Sequence, residues 1–291
     1  MSRQTLKFDD ELKKICQAAL EEDASEQDLT SDLTIADNTR VSFKITAREE
    51  IILCGVAAIN HCFDSLTKLE KFKNIFLGLQ VNAKDGDIIK AGEAIAEGFG
   101  DAKLIFAAER VILNLLQHLS GISSATNQFV KTLDNKKIKI LDTRKTLPTL
   151  RILQKQAVVI GGGKNHRFNL SDMILIKDNH IAAAGGVKQA IMAAKQNKKV
   201  KIEVECDNFM QVVEAIPVKP DIIMLDNMSV VEIKKCTAKI RAYKSKKILI
   251  EISGGINLNK IKKFRLLDID FISIGSLTHS VRAVDIGLDV I

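Results

Sequence analysis

Beyond residue 137 the chain repeats one pattern, a short apolar run followed by a polar, charged patch and then a stretch of helical periodicity. The runs are KIKIL (Lys137 to Leu141), MILI (Met173 to Ile176), KIEV (Lys201 to Val204), DIIML (Asp221 to Leu225), KILI (Lys247 to Ile250) and FISI (Phe271 to Ile274). Each is rich in β-branched residues and too short for a helix. Continuously apolar strands alternating with helices predict a parallel sheet covered by helices. The segments that follow the runs are DTRKT, KDN, ECDN, DNMS, EISGG and GSLTHS, so reactive residue types gather at the carboxyl ends of the strands. In a β/α barrel those ends share the face on which active sites are built. An open doubly wound sheet also places ligands there. The glycine motifs argue against that alternative: Gly161-Gly162-Gly163-Lys164 is followed by Asn165 rather than Ser or Thr, and no GxGxxG opens a helix after the first strand.

The first part of the chain reads differently. Asp9 is expected to cap a helix whose buried stripe is Leu12, Ile15, Cys16, Ala19 and Leu20. Val41, Phe43, Ile45 and Ala47 alternate with polar residues, as do Ile75, Leu77, Leu79 and Val81, and Val56 to Leu69 between them reads as a helix. Val81 to Gly98 places turn glycines around short apolar pairs and resembles the hammerhead-like fold of lipoyl and biotinyl carrier domains. Lys84 and Lys90 lack the flanking signature of a carrier lysine, so the segment is read as structural. Asp101 to Leu133 is a long helical region with an expected break at Ser120-Gly121.

Composition narrows the function. The 291 residues are 46% hydrophobic, enough for a barrel plus a smaller domain. A net charge of +7 suits nucleic acid, an anionic membrane or small anionic substrates. The basic runs Lys195 to Lys201 and Lys244 to Lys247 lie between predicted elements and read as solvated connections. With no Trp, one Tyr and no continuous basic-aromatic pattern, little stacking surface is left for nucleic acid. No stretch approaches the roughly 18 apolar residues of a membrane span, and MSRQTLKFDDELKK lacks a signal-peptide core, so a cytoplasmic location is expected. The five cysteines show no CxxC pair and are read as reduced, mostly buried thiols with no structural metal site.

Six cations, Arg144, Lys145, His166, Arg167, Lys177 and His180, fall beside predicted strand ends or glycine turns, where they can converge on a strongly anionic ligand. Glu203 and Glu205 are two residues apart in one strand and point to the same side, and Asp226 ends the next strand. Carboxylates there can hold Mg²⁺, bind sugar hydroxyls or stabilise positive charge on a sugar ring. Glu205 and Asp226, at strand ends, are the stronger candidates. Ser253, Gly254 and Gly255 follow the fifth strand and Gly275 and Ser276 the sixth, an arrangement suited to phosphate. His61 and His118 lie in helical patterns and read as packing or surface residues; His166, His180 and His279 adjoin the motifs, with no zinc-type spacing.

Taken in order, EEDASEQDLTSDLT (Glu21 to Thr34), AERVILNLLQHLSGISSAT (Ala108 to Thr126), LDTRKT, GGGKNHR, LIKDNHI, EVEC, LDN, SGG and GSLTHS resemble the quinolinate phosphoribosyltransferase family over nearly the whole chain. The resemblance implies an N-terminal α/β sandwich domain with the hammerhead-like segment (1–115), an open six- or seven-stranded, TIM-like α/β barrel (116–276), and a C-terminal segment (277–291) packing back on the first domain. It implies transfer of phosphoribosyl from 5-phosphoribosyl 1-pyrophosphate to quinolinate, with release of pyrophosphate and CO₂ and formation of nicotinate mononucleotide for NAD synthesis. By position in the motifs, it implies quinolinate binding by Arg144, His166, Arg167 and Lys177, with Arg110 reaching the site from a neighbouring subunit of a homodimer. It implies contacts to phosphoribosyl pyrophosphate from Lys145, Glu205, Asp226, Ser253, Gly254, Gly255, Gly275 and His279, catalytic roles for Glu205, Asp226, Lys145 and Lys177, and Mg²⁺ near Glu205 and Asp226, held directly or through water. Leu147 and Thr149 replace a Thr and a Gly of the common TRKTTPGLR pattern, and Ile252 replaces a small polar residue before SGG. A molybdenum-associated family of the same fold is the alternative, one that leaves the complete cation set without a dicarboxylate to bind.

Overall fold

The computed structural model describes residues 3–24, 27–73, 75–245 and 247–291. Ser25 and Glu26 of the EEDASEQ stretch and Lys246 of the second basic run lie outside them. In chain order the first elements are α1 (Arg3–Ala24), α2 (Leu29–Thr34), β1 (Arg40–Ala47), β2 (Ile51–Ile52), α3 (Ala57–Leu66), β3 (Leu77–Val81), β4 (Ile88–Ile89), β5 (Ala94–Asp101) and α4 (Ala102–Leu133). Then come β6 (Lys139–Leu141), α5 (Arg151–Ile160), β7 (Ile174–Ile176), α6 (Asp178–Ala184), α7 (Val187–Ala194), β8 (Ile202–Cys206), α8 (Phe209–Ala215), β9 (Ile222–Asp226) and α9 (Val230–Ala242). The last are β10 (Leu249–Ser253), α10 (Leu258–Ile261), β11 (Phe271–Ser273), α11 (Ser276–His279) and β12 (Ile286–Val290). They form two compact units, one of residues 1–127, 147–161 and 280–291 and the other of residues 128–146 and 162–279. The division differs from the expected one: residue 115 falls inside the continuous helix α4, and α5 groups with the first unit.

The first unit is built on a four-stranded antiparallel sheet in the order β12-β1-β5-β3. The C-terminal strand thus returns to β1, with Phe43 opposite Val290 and Ala47 opposite Ile286. In β1 the alternation buries Phe43, Ile45 and Ala47, as the sequence requires. The hammerhead-like segment supplies β4, which pairs with β2. The backbone of Ile52 is satisfied from α4, where Ser124 Oγ accepts from the Ile52 N–H at 2.8 Å and Ser123 Oγ donates to the Ile52 carbonyl at 2.6 Å. Ser120 Oγ likewise accepts from the Cys54 N–H at 3.0 Å. The polar letters of HLSGISSAT therefore serve buried backbone groups that would otherwise lack partners.

Two expectations fail here for identifiable reasons. α4 runs without a break through Gly121, because that glycine makes room rather than a turn: a Cβ on it would lie 2.4 Å from the Arg282 carbonyl oxygen. Asp9 does not cap α1, which starts at Arg3; its carboxylate instead meets His61 Nε2 at 2.9 Å. The stripe of α1 is otherwise as expected, with Leu12, Cys16 and Leu20 buried.

The second unit contains a six-stranded, all-parallel sheet in the order β6-β11-β10-β9-β8-β7, each strand corresponding to one of the six apolar runs. Alternation of strand and helix leaves β6 and β7 as its two ends, the arrangement of an open barrel. Local signals set the helices between strands. Asn208 caps α8, accepting from the Gln211 N–H, and Ser229 with Glu232 forms a capping box on α9. Ile250 and Ile252 of β10 are buried away from the cavity described below, so the exchange of a small polar residue for Ile252 is absorbed by packing. All five cysteines are free and buried. No helix among the described residues is long and apolar enough to cross a membrane.

Candidate functional site

The carboxyl ends of the parallel strands surround a cavity of about 630 Å³ in the second unit. β6 leads into Thr143, Arg144 and Lys145, β7 into Lys177, β8 contributes Glu205, β9 Met224 and Asp226, β10 Glu251 and Ser253, and β11 Ser273; the following turns add Asn227, Gly254, Gly255, Gly275, Ser276 and His279. His166 and Arg167 enter from the segment between α5 and β7.

One side of the cavity is cationic. The segment carrying His166 is held by Asp142, fully buried at the end of β6, which accepts from the His166 N–H at 2.9 Å and from Asn165 Nδ2 at 2.5 Å. His166 Nε2 and Glu203 Oε2 share a hydrogen bond of 2.9 Å. Arg167 Nη1 donates to the Met173 carbonyl at 3.1 Å. Burial, together with the charge of Arg144, lowers the Arg167 guanidinium from its ordinary range. Two guanidinium groups held this close raise each other's energy until an anion comes between them, which is what a dicarboxylate would do. Lys177 Nζ donates to Glu205 Oε2 at 2.9 Å, tying the cationic side to the carboxylates.

Those carboxylates lie at the mouth. Glu205, Asp207 and Asp226 each present an oxygen within 4.8 Å of the others, a set of hard oxygen donors of the kind Mg²⁺ takes. Asp226 also accepts from Asn227 Nδ2 at 2.5 Å.

The other side is built of backbone. Gly254 and Gly255 have φ of +94° and +56°, and a Cβ on Gly254 would lie 2.7 Å from the Asn227 backbone nitrogen, so no side chain fits there. Lys260 Nζ holds the turn by donating to the Gly255 carbonyl at 3.0 Å. Lys145 lies on this side: Thr278 Oγ1 donates to its carbonyl at 2.7 Å, and a Cβ at Gly275 would come within 3.2 Å of its Cδ. Adjacent residues of one loop thus serve opposite sides, Arg144 beside Arg167 and Lys145 beside Gly275.

Of the residues singled out from the sequence, Arg144, Lys145, His166, Arg167, Lys177, Glu205, Asp226, Ser253, Gly254, Gly255, Gly275 and His279 all line this cavity. Arg110 does not; it is exposed on α4 in the first unit. His180 does not either: its Nδ1 accepts from the Lys177 N–H at 3.0 Å and caps α6, so its place beside KDN reflects helix initiation. Glu203 lies fully buried behind His166. Asp142, Asp207, Asn227 and Glu251 were missed. The lone acid within KILIEIS, an otherwise apolar strand, was a legible signal for Glu251, since an unpaired carboxylate is rarely buried without cause.

The chain matches two family models, "Quinolinate phosphoribosyl transferase, N-terminal domain" over residues 28–120 and "Quinolinate phosphoribosyl transferase, C-terminal domain" over residues 122–289. It is 43% identical over 285 residues to a probable nicotinate-nucleotide pyrophosphorylase [carboxylating] of Methanocaldococcus jannaschii, covering 96% of each chain. It is 42% identical over 282 residues to a probable nicotinate-nucleotide pyrophosphorylase [carboxylating] of Bacillus subtilis, covering 96% of this chain and 93% of that one. The crystal structure of the nicotinate-nucleotide pyrophosphorylase from Ehrlichia chaffeensis superposes with a TM-score of 0.87 at 39% identity, covering 96% of this chain and 98% of the other. Motif order, the two-sided cavity and likeness along nearly the full length agree: the chain belongs to the quinolinate phosphoribosyltransferase family.

Proposed function

We infer that this protein transfers the phosphoribosyl group of 5-phosphoribosyl 1-pyrophosphate to the ring nitrogen of quinolinate, releasing pyrophosphate and CO₂ and giving nicotinate mononucleotide. The observation that carries this reading is the two-sided cavity, with convergent cations on one side, glycine turns on the other and carboxylates between. It is supported by membership of the family and by the names of the relatives. The molybdenum-associated alternative has no such support.

Arg144, His166, Arg167 and Lys177 bind the two ring carboxylates and fix the pyridine nitrogen toward the sugar. The turns at Gly254, Gly255 and Gly275, with Ser253 and His279, hold the 5′-phosphate, and Lys145 neutralises a pyrophosphate oxygen. As the bond from the anomeric carbon to pyrophosphate lengthens, positive charge spreads over the ribose, and Glu205 and Asp226 stabilise it because they are already in place when that charge develops. The new N–C bond leaves the ring nitrogen cationic. That charge stabilises the carbanion left at C2 when the 2-carboxylate departs as CO₂, and the electron pair that stays on C2 then takes up a proton. Glu205 and Asp226, with Asp207, are the residues that would hold Mg²⁺, which when bound neutralises pyrophosphate charge. Lys177, already paired with Glu205, links the two substrates' subsites.

Arg110, exposed on α4, is read as completing the quinolinate subsite of a partner subunit in a homodimer. Mixing Arg110→Ala with Lys177→Ala protein should then restore part of the activity through hybrid sites; no recovery despite demonstrated subunit exchange excludes the shared site. The five free, buried thiols suit the reducing cytoplasm. The reaction itself is tested by incubating purified protein with quinolinate, phosphoribosyl pyrophosphate and Mg²⁺ and following nicotinate mononucleotide and CO₂. Turnover of nicotinate at a rate comparable to quinolinate would overturn the substrate assignment.

A further inference from the structure

The two arms that carry Arg144 and Arg167 are joined by one buried side chain. β6 is an end strand of the parallel sheet and pairs with β11 along one edge. Its other edge takes a single residue of the glycine-rich segment: the Lys164 N–H donates to the Ile140 carbonyl at 2.8 Å, and the Asp142 N–H donates to the Lys164 carbonyl at 3.2 Å. That bridge is isolated, and the side chain of Asp142 extends it. Asp142 is 0% exposed; its Oδ1 accepts from the His166 N–H at 2.9 Å and its Oδ2 from Asn165 Nδ2 at 2.5 Å. An ionised aspartate is the shortest side chain that offers an acceptor oxygen to each of two donors.

Asp142 therefore stands at the root of both arms. Arg144 follows it by two residues along the chain, and Arg167 follows His166 by one. The charge of Arg144 acts on the Arg167 guanidinium in addition to the effect of its burial, so without an anion between them the two groups push the arms apart. A brace between the arms opposes that force. Apolar packing has no preferred direction, whereas hydrogen bonds of restricted length and angle set both distance and orientation.

We propose that Asp142 is a positioning residue that sets the spacing of the two arms, and that this spacing makes the cavity select two adjacent carboxylates over one. A dicarboxylate is bound well only when both arms present their charges at the matching separation, while a single carboxylate is met by one arm and is indifferent to the spacing. Asn165, the residue that rules out a Walker A loop after the three glycines, is the second donor to the brace. Only the identity of the dicarboxylate rests on the quinolinate reading.

The test compares Asp142→Leu, which has no acceptor, with Asp142→Asn. The Asn variant keeps one oxygen for the His166 N–H, and a flip of the Asn165 carboxamide lets its oxygen receive the new amide N–H. Amide exchange at His166, read without ligand, should be slow in the wild type and in Asn and fast in Leu. By titration calorimetry Leu should weaken quinolinate binding about 10- to 100-fold, the size expected for losing hydrogen bonds to a charged group, with nicotinate binding nearly unchanged. Asn should recover most of the quinolinate loss. Asn165→Ala removes one bond and spares the buried acid; it should weaken quinolinate binding about tenfold with nicotinate unaffected, and it carries the test if Leu does not fold. Equal losses for the two ligands would mean that Asp142 only supports the fold, and Asn as damaging as Leu would mean that charge rather than the paired hydrogen bonds is required; either result overturns the proposal. Wild-type protein with a protected His166 amide that does not prefer quinolinate to nicotinate would count against the functional reading instead.

Discussion

On the cationic side of the cavity the lining is charged side chains, four of them brought from three separate segments, while on the glycine side it is backbone that lies within two turns. The difference follows from the ligands. A planar dicarboxylate presents two charges in fixed directions, which guanidinium forks match. A phosphate is nearly spherical and is satisfied by several N–H groups, so any chain that can adopt the turn will do, provided no Cβ intervenes. The cationic side should therefore be sensitive to loss of a side chain and the glycine side to gain of one.

The carboxylates between the two sides give the largest expected effect. Glu205→Gln and Asp226→Asn should each lower kcat about 10²- to 10³-fold while weakening quinolinate binding far less, because the stabilised charge exists only in the transition state. Single-turnover rates set against directly measured Kd values check this, and the reverse partition would remove these residues from that role.

Loss of a side chain is tested by Arg167→Ala. Losing charge-assisted hydrogen bonds should weaken quinolinate binding about 10- to 100-fold and leave phosphoribosyl pyrophosphate binding nearly unchanged. Calorimetric titration with each ligand separates the two, and equal loss for both would abolish the division into sides.

Gain of a side chain is tested by Gly254→Ala. Its methyl group would press on Asn227 from a backbone at φ +94°, so the turn must shift. The KM for phosphoribosyl pyrophosphate should rise about tenfold, the cost of a strained position, with quinolinate Kd unaffected.

The floor beneath the cationic side leaves its mark on stability. Burial raises the Glu251 carboxyl from 4.5 to about 8 in the folded protein. Between those values the unfolded chain has released a proton that the folded protein still holds, so this group's contribution is fully present below about pH 4.5 and is lost as pH rises toward 8. Glu251→Gln should therefore raise Tm by several degrees at pH 7.5, and the gain should shrink toward zero near pH 4. A gain independent of pH in scanning calorimetry would show that Glu251 is not the titrating group.

The smallest effect concerns the loop that leaves the cationic side. Thr149, where the family pattern has glycine, adopts φ +67°, a conformation costly for a β-branched residue. Thr149→Gly should stabilise the protein by about 1 kcal/mol, with turnover little changed. Urea unfolding measures it, and a loss of stability would mean that the Thr149 hydroxyl, 2.6 Å from the Pro148 carbonyl, outweighs the strain.

The sequence by itself determined the six parallel strands, because a strand covered on both faces must be apolar throughout and each run is bounded by polar residues. It determined most of the cavity lining as well, since one fold rule places every strand's carboxyl end on a single face. What it left undecided were residues whose role depends on a neighbour far along the chain. Gly121 reads as a helix breaker until the Arg282 carbonyl is seen against it, and His180 reads as a ligand until its ring is found capping α6. Arg144 and Lys145 are adjacent cations in sequence, and only the fold sets one beside Arg167 and the other beside Gly275. Asp142 and His166 are 24 positions apart, and nothing local marks them as partners. Local propensity and hydrophobic period are carried by near neighbours, whereas burial and close approach exist only once distant segments have packed.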